Sequence, residues 1–261
     1  MHSTEEKLKA FERLLKIMDE LREKCPWDRE QPLESLRNLT IEETYELADA
    51  IMDHDLEEVR KELGDLMLHI VFYAKIGSEK GNFDITDVLH GINKKLVYRH
   101  PHVFGDREVK DAGEVEDNWE KLKQTEDDHY KPVLSGVPNS LPALVKANRV
   151  QEKVKGVGFD WEIKEQVWDK VFEELKELKD EIVMEDPVRI ESEFGDLLFS
   201  IINAARLYGI DPETALERTN RKFIKRFNYL EERTIPEGKS LHDMTLAEMN
   251  IIWEEAKEIY E

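Results

Sequence analysis

Apolar residues recur along this chain at intervals of three and four. Leu8, Phe11, Leu15 and Met18 share one helical face, as do Leu56, Val59, Leu63, Leu66 and Ile70. Start signals agree with that period. Thr40 with Glu43, and Thr245 with Glu248, have capping-box spacing. Asp186-Pro187 and Asp211-Pro212 place an acidic N-cap before a proline in the first turn. No sustained alternation of apolar and polar residues marks a strand. Between Thr125 and Pro142 the pattern breaks at Asp127-Asp128, Pro132, Ser135-Gly136, Pro138-Asn139-Ser140 and Pro142. The expectation is an all-α chain of two tandem helical-bundle domains, 1–125 and 143–261, with a linker at 126–142.

The two halves repeat each other. Residues 42–51, EETYELADAI, match residues 173–182, EELKELKDEI, at six of ten positions. The same offset of 131 carries Glu62-Leu63-Gly64-Asp65-Leu66 onto Glu193-Phe194-Gly195-Asp196-Leu197, and Asp55 onto Asp186. After a shift of four residues, Asn93-Lys94-Lys95 and Arg99 align with Asn220-Arg221-Lys222 and Arg226. Trp119 aligns with Trp253, each followed by Glu, and Trp27-Asp28 corresponds more weakly to Phe159-Asp160. Shared amphipathicity repeats apolar positions but not the same acids, glycine, cations and tryptophan in one order. Internal duplication accounts for the order. Gly64 and Gly195 each carry a helix cost of about 1 kcal/mol relative to Ala, which points to close helix packing there.

Charge narrows the functions open to such a chain. A formal net charge of −21 argues against a nucleic-acid surface, which needs a basic face. No apolar run is long enough to cross a bilayer, and residues 1–7 have no apolar signal core. The single cysteine, Cys25, fits a reducing, cytoplasmic setting.

Spacing within the repeat points to chemistry. Residues at i and i+3 are neighbours on a helix, so Glu174 and Glu177 project together, as do Glu193 and Asp196. If the two helices pack antiparallel, four carboxylates converge, and such a cluster calls for a counter-charge. With oxygen donors alone, the matching ion is hard: Mg²⁺, or Mn²⁺ as a substitute. A di-iron bundle relies instead on Glu-x-x-His motifs. Lys222 and Arg226 lie four apart on one face. Carboxylates, metal and a cation pair together make a polyphosphate site, and Trp253 offers an indole to stack on a base.

The ordered set Cys25-Pro26-Trp27-Asp28, Glu42-Glu43-Thr44-Tyr45-Glu46, Glu62-Leu63-Gly64-Asp65, Arg99-His100-Pro101-His102-Val103-Phe104, Gly158-Phe159-Asp160-Trp161 and the second EExxE…ExxD resembles the MazG family of the all-α NTP pyrophosphohydrolase type. The resemblance spans nearly the whole chain. It implies hydrolysis of nucleoside triphosphates between the α and β phosphates to NMP and pyrophosphate. It also implies broad base tolerance, Mg²⁺ dependence and a homodimer. By that likeness Glu174, Glu177, Glu193 and Asp196 hold the metal, Lys222, Arg226 and Trp253 contact nucleotide, and Glu173 orients water.

The copies are unequal. Lys170 and Arg189 stand one turn before Glu174 and Glu193, whereas Leu39 and Glu58 occupy those places in the first copy. The second half is therefore expected to dominate, with Lys170 and Arg189 assisting the triphosphate. Glu43, Glu46, Glu62, Asp65, Lys95, Arg99 and Trp119 then form a weaker second site. Two other readings stay open: a hydrolase of narrower substrate range, and a helical interaction protein whose acids only solvate it.

Overall fold

The computed structural model describes residues 1–111, 113–115, 118, 119, 122, 132–235 and 240–260. Among these the regular elements are helices and short 3-10 turns, with no strand. The chain divides into two compact units, Met1–Glu108 and Val109–Glu261. The first unit thus ends short of the expected 125. Of the expected linker, 126–131 lie outside the described residues, while 132–142 belong to the second unit.

In the first unit, α1 (Thr4–Lys24) starts at a Ser3–Glu6 capping box and stops where Cys25-Pro26 turns the chain into α2 (Pro26–Glu30). The long pair α3 (Leu33–Met52) and α4 (Leu56–Glu79) is joined by a tight turn in which His54 is left-handed, at φ 56°, and Asp55 caps α4. Helices α5 (Ile85–Arg99) and α6 (Pro101–Phe104) follow. Met18, Leu36, Val71, Phe72 and Ile76 form the core. Arg22, only 9% exposed at its side chain, ties three segments to that core. Its guanidinium pairs with Glu79 at the end of α4 and donates to the carbonyls of Asp28 and Gln31 around α2. A planar fork with five donors suits this task, where an ammonium does not.

In the second unit, which opens at Val109, a 3-10 turn at Val133–Gly136 places the Val133 carbonyl to accept from Lys153 Nζ at 3.2 Å. Helix α7 (Ala143–Lys155) leads through Gly158, at φ 86°, to α8 (Val167–Met184). Asp186 caps α9 (Pro187–Leu207), Asp211 caps α10 (Pro212–Thr234), and a Thr245–Glu248 box opens α11 (Leu246–Ile259). Val167, Val171 and Ala204 form the core between α8 and α9, backed by Leu197 and Leu207. Helices α10 and α11 pack on each other.

Two expectations need correction, at Thr40 and at the repeated glycines, and one stripe is only partly covered. Thr40 is not a cap: it lies inside α3, its hydroxyl donating to the Leu36 carbonyl at 2.9 Å and bonding Tyr73 Oη at 2.7 Å. The helix starts earlier because Pro32 already supplies the break. The stripe on α4 is only partly covered: Val59 and Leu66 are half-buried. Leu56, Leu63 and Ile70 are exposed, while Val71, Phe72 and Ile76 are buried. Helix α4 is apolar on two sides, and periodicity reports a stripe without saying which side meets a neighbour. Finally, a Cβ at Gly64 or Gly195 would meet nothing within 4 Å. Among the described residues, close packing is therefore not what these glycines serve.

Leu36 is fully buried at the centre of the first core. Leu36→Ala is expected to cost the first unit about 2–5 kcal/mol through lost transfer energy and the cavity left behind. Urea denaturation followed by a probe within Met1–Glu108 reads this as a lowered midpoint; an unmoved midpoint contradicts the assigned core.

Candidate functional site

The antiparallel pairs α3/α4 and α8/α9 each bring acids together. In the first unit Glu43, Glu62 and Asp65 place one oxygen apiece within 4.8 Å of one another. In the second, Glu174, Glu193 and Asp196 do the same, and Glu174 is also grouped with Glu173 and Glu177. The four expected ligands of the second copy thus fall into two overlapping triplets hinged on Glu174. Glu46 lies outside the first triplet, though its charge still acts on Glu43.

Burial decides how these groups behave. Glu62 and Glu174 are 7% and 6% exposed, and Glu62 Oε2 is buried without a hydrogen-bond partner. Burial, then the neighbouring Glu43, pushes the Glu62 carboxyl above the usual carboxylate range. Glu43 rises too, through burial and then Asp65 and Glu46. In the second unit burial lifts Glu193, followed by Glu177, Asp196 and Glu174. Glu174 instead has a cation of its own: Lys170 Nζ stands 2.7 Å from Glu174 Oε1 and 2.8 Å from Glu173 Oε1. Those two bonds, Glu173 first, raise the lysine and hold it charged. Oxygen donors alone, clustered and partly desolvated, with an orphaned buried oxygen in one copy, fit a hard divalent cation.

The remaining expected residues lie elsewhere in the fold. Arg189 reaches across to Glu181, 3.4 Å away, and to Asp186, 3.6 Å away, rather than along its own helix to Glu193. On α10, Arg226 is engaged by the Tyr260 carbonyl through Nε and Nη2, at 2.9 and 2.7 Å. Lys222 is half-buried on the same helix. The Trp253 ring, half-buried on α11, packs against Phe223 with centroids 4.9 Å apart. No hydrogen bond or ion pair among the described residues joins Lys222, Arg226 or Trp253 to the second triplet. In the first unit Lys95 is exposed and Arg99 half-buried; Trp119 falls in the second unit.

One participant escaped the sequence reading. Glu181 follows Glu177 by four residues, takes the Arg189 contact on Oε1, leaves Oε2 buried without a partner, and adds to the charge around Glu193. The repeat offset held the signal, since position 181 maps onto Ala50, buried in the first copy.

Comparison with known proteins gives a consistent picture. A family model described as the MazG nucleotide pyrophosphohydrolase domain matches residues 31–104 and 164–230. A Thermotoga maritima protein named nucleoside triphosphate pyrophosphohydrolase/pyrophosphatase MazG is 45% identical over 250 residues, covering 95% of each chain. An Escherichia coli nucleoside triphosphate pyrophosphohydrolase is 40% identical over 258 residues, 96% of this chain and 98% of that one. The crystal structure of a mazG-related protein from Thermotoga maritima aligns at TM-score 0.39 with 27% identity, over 44% of this chain and 99% of that one.

The raised carboxyls set a pH dependence. A carboxyl lifted in the folded state is ionised at a cost that appears as pH rises through its folded value and vanishes below its ordinary value near 4.5. Glu62→Gln is therefore expected to raise the metal-free Tm at about pH 8 and to leave it unchanged near pH 4. Mg²⁺ competes with protons for these oxygens, so it should raise the wild-type Tm more at about pH 8 than at about pH 5.5. Calorimetry checks both; a Glu62→Gln variant less stable than wild type at pH 8 contradicts the assigned repulsion.

Proposed function

Since this chain belongs to the MazG nucleotide pyrophosphohydrolase family, we propose that its second unit is the principal site at which Mg²⁺-dependent hydrolysis splits nucleoside triphosphates between the α and β phosphates. The chain is a nucleoside triphosphate pyrophosphohydrolase. The observation that carries the choice of unit is the Glu174–Glu193–Asp196 triplet with Lys170 at 2.7 Å, a cation that the first copy replaces with Leu39.

Glu174, Glu177, Glu193 and Asp196 are the groups that would hold the metal, with Mn²⁺ as a substitute. When bound, Mg²⁺ polarises phosphoryl oxygens and lowers the pKa of coordinated water. The chain's own residues do the rest. Lys170 and Arg189 supply positive charge beside the acids, where the triphosphate accumulates negative charge in the transition state. Glu173 accepts from Lys170 through Oε1, and its other oxygen remains to orient the attacking water. Lys222, Arg226 and Trp253 contact the nucleotide. Because stacking does not choose strongly among bases, the site tolerates several, which suits cytoplasmic housecleaning of nucleotide pools.

The same reading includes a homodimer. Phe172, Phe194 and Leu198 on α8 and α9 are 50–64% exposed, an apolar surface beside the acids that a second copy would cover. The open space at Gly195 supports an approach by another chain rather than by this one.

Incubating the protein with each common NTP and Mg²⁺ is expected to yield NMP and pyrophosphate; NDP and phosphate would reject the bond assignment. Glu174→Ala and Glu193→Ala should each lower kcat by on the order of 100-fold or more, with Glu43→Ala and Glu62→Ala retaining most turnover. The reverse pattern transfers the principal site to the first unit. In sedimentation, the wild type should run at twice the chain mass, and Phe194→Asp with Leu198→Asp should run as a monomer; an unchanged mass removes this face from the interface.

A further inference from the structure

Beside the turn between α8 and α9 stands an ion pair that opposes the dipoles of both helices. Acids stabilise a helix at its N-terminus and cations at its C-terminus. The first copy follows that rule: Glu57 and Glu58 lie in the first turn of α4, and neutral Ala50 lies near the end of α3. The second copy reverses both placements. Glu181 lies in the last turn of α8, and Arg189 in the first turn of α9, which has no acid there. Glu181 Oε2 is also buried without a hydrogen-bond partner. Helix stability therefore explains neither residue. Local rules of this kind are broken where a site needs the side chain for something else.

The geometry shows what the pair does to the arginine. Arg189 Nη1 donates to Glu181 Oε1 at 3.4 Å, and its Nε stands 3.6 Å from Asp186 Oδ2. Asp186 is itself fixed, since its Oδ1 caps α9 by accepting from the Val188 and Arg189 N–H groups. The guanidinium is thus held by two acids, while Nη2 makes no bond among the described residues. The anchor lies inside and the cation outside: the Glu181 side chain is 21% exposed and that of Arg189 68%. Lys170 marks the other end of the acid cluster, about 16 Å from Glu181 along α8. Because the helices run antiparallel, the acids lie between these two cations, and phosphates laid over the acids would have a cation toward either end.

We propose that Glu181 is a positioning residue, which holds the Arg189 guanidinium ready for the phosphate chain at the acids of the second unit. The assignment rests on the pyrophosphohydrolase reading of those acids. An arginine that is not held loses rotamer freedom when it grips a phosphate, and one already held loses less. Glu181 does not touch the substrate and acts only through Arg189. The first copy has Ala50 and Glu58 in these two places, so the device belongs to the second unit alone.

Glu181→Ala tests this, and it installs the residue type that the first copy already has at position 50. Bare charge and positioning predict opposite signs. Removing a negative charge beside the phosphates tightens their binding if Glu181 acts through space alone, whereas losing the anchor weakens it. The expected result is a loss: kcat/KM for ATP and for CTP falls about fivefold, and the inhibition constant of inorganic triphosphate rises by the same factor. Tm should not fall, because an unpaired buried oxygen and an acid at a helix C-terminus are both removed. Glu181→Gln, which keeps an acceptor, should recover part of the loss. In an Arg189→Ala background, Glu181→Ala should change nothing further. A gain in kcat/KM, an unchanged value, or a loss that persists without Arg189 or comes with a lowered Tm overturns the assignment. If the wild type yields no NMP from any NTP, the activity reading fails by itself. Calorimetry of inorganic triphosphate binding with Mg²⁺ then decides the role of Glu181, and equal affinity in wild type and Glu181→Ala overturns it.

Discussion

Carboxylates held within 4.8 Å of one another repel, and each unit of this chain is organised around that repulsion. Two full charges about 4 Å apart in a partly desolvated setting oppose each other by roughly 4 kcal/mol, against a typical domain stability of about 5–15 kcal/mol. The helix pairs hold the acids there because their apolar contacts are made on the same helices: Val167, Val171 and Ala204 beside Glu174, and Val71, Phe72 and Ile76 beyond Glu62. The two copies relieve the strain differently. Glu43 and Glu62 are driven toward keeping a proton, whereas Glu174 is matched by Lys170 on its own helix.

That difference follows a small set of exchanges on a common frame. Leu39 becomes Lys170, Glu58 becomes Arg189, and Ala50 becomes Glu181. The last two are coupled, for Arg189 and Glu181 meet across the helix pair. In the first copy Glu58 is met instead by Lys61 from its own helix, 2.5 Å away. The acids themselves are shared, so the copies differ in what surrounds the charge.

Much of this was legible in the sequence because it is local. Helix caps at Asp186, Asp211 and Thr245 depend on neighbours three residues away, and the i, i+3 acid pairs depend on one helical turn. The repeat then supplied the non-local pairing that a single motif cannot. What stayed hidden is what distance controls. Nothing near Arg22 signals Glu79, nor does anything near Asp160 signal Arg206. The covered side of α4 and the open space at Gly64 and Gly195 depend on which surfaces meet, a property of packing that periodicity does not encode. The Arg189–Glu181 contact was hidden for a related reason: sequence spacing compares a residue with its own helix, and this acid stands on the facing one.

Within the second triplet the acids differ in depth: Asp196 is exposed, Glu193 half-buried and Glu174 buried. That gradation bears on the rate at which a hydrated ion enters. Mg²⁺ surrenders its water shell reluctantly, and a uniformly buried cluster would demand the loss all at once. For an Mg²⁺ bound there as proposed, the outermost oxygen would be met through an intact shell, with ligand exchange following inward one oxygen at a time. For that ion the slope from Asp196 to Glu174 would be a staircase of dehydration, dividing one high kinetic barrier into lower ones.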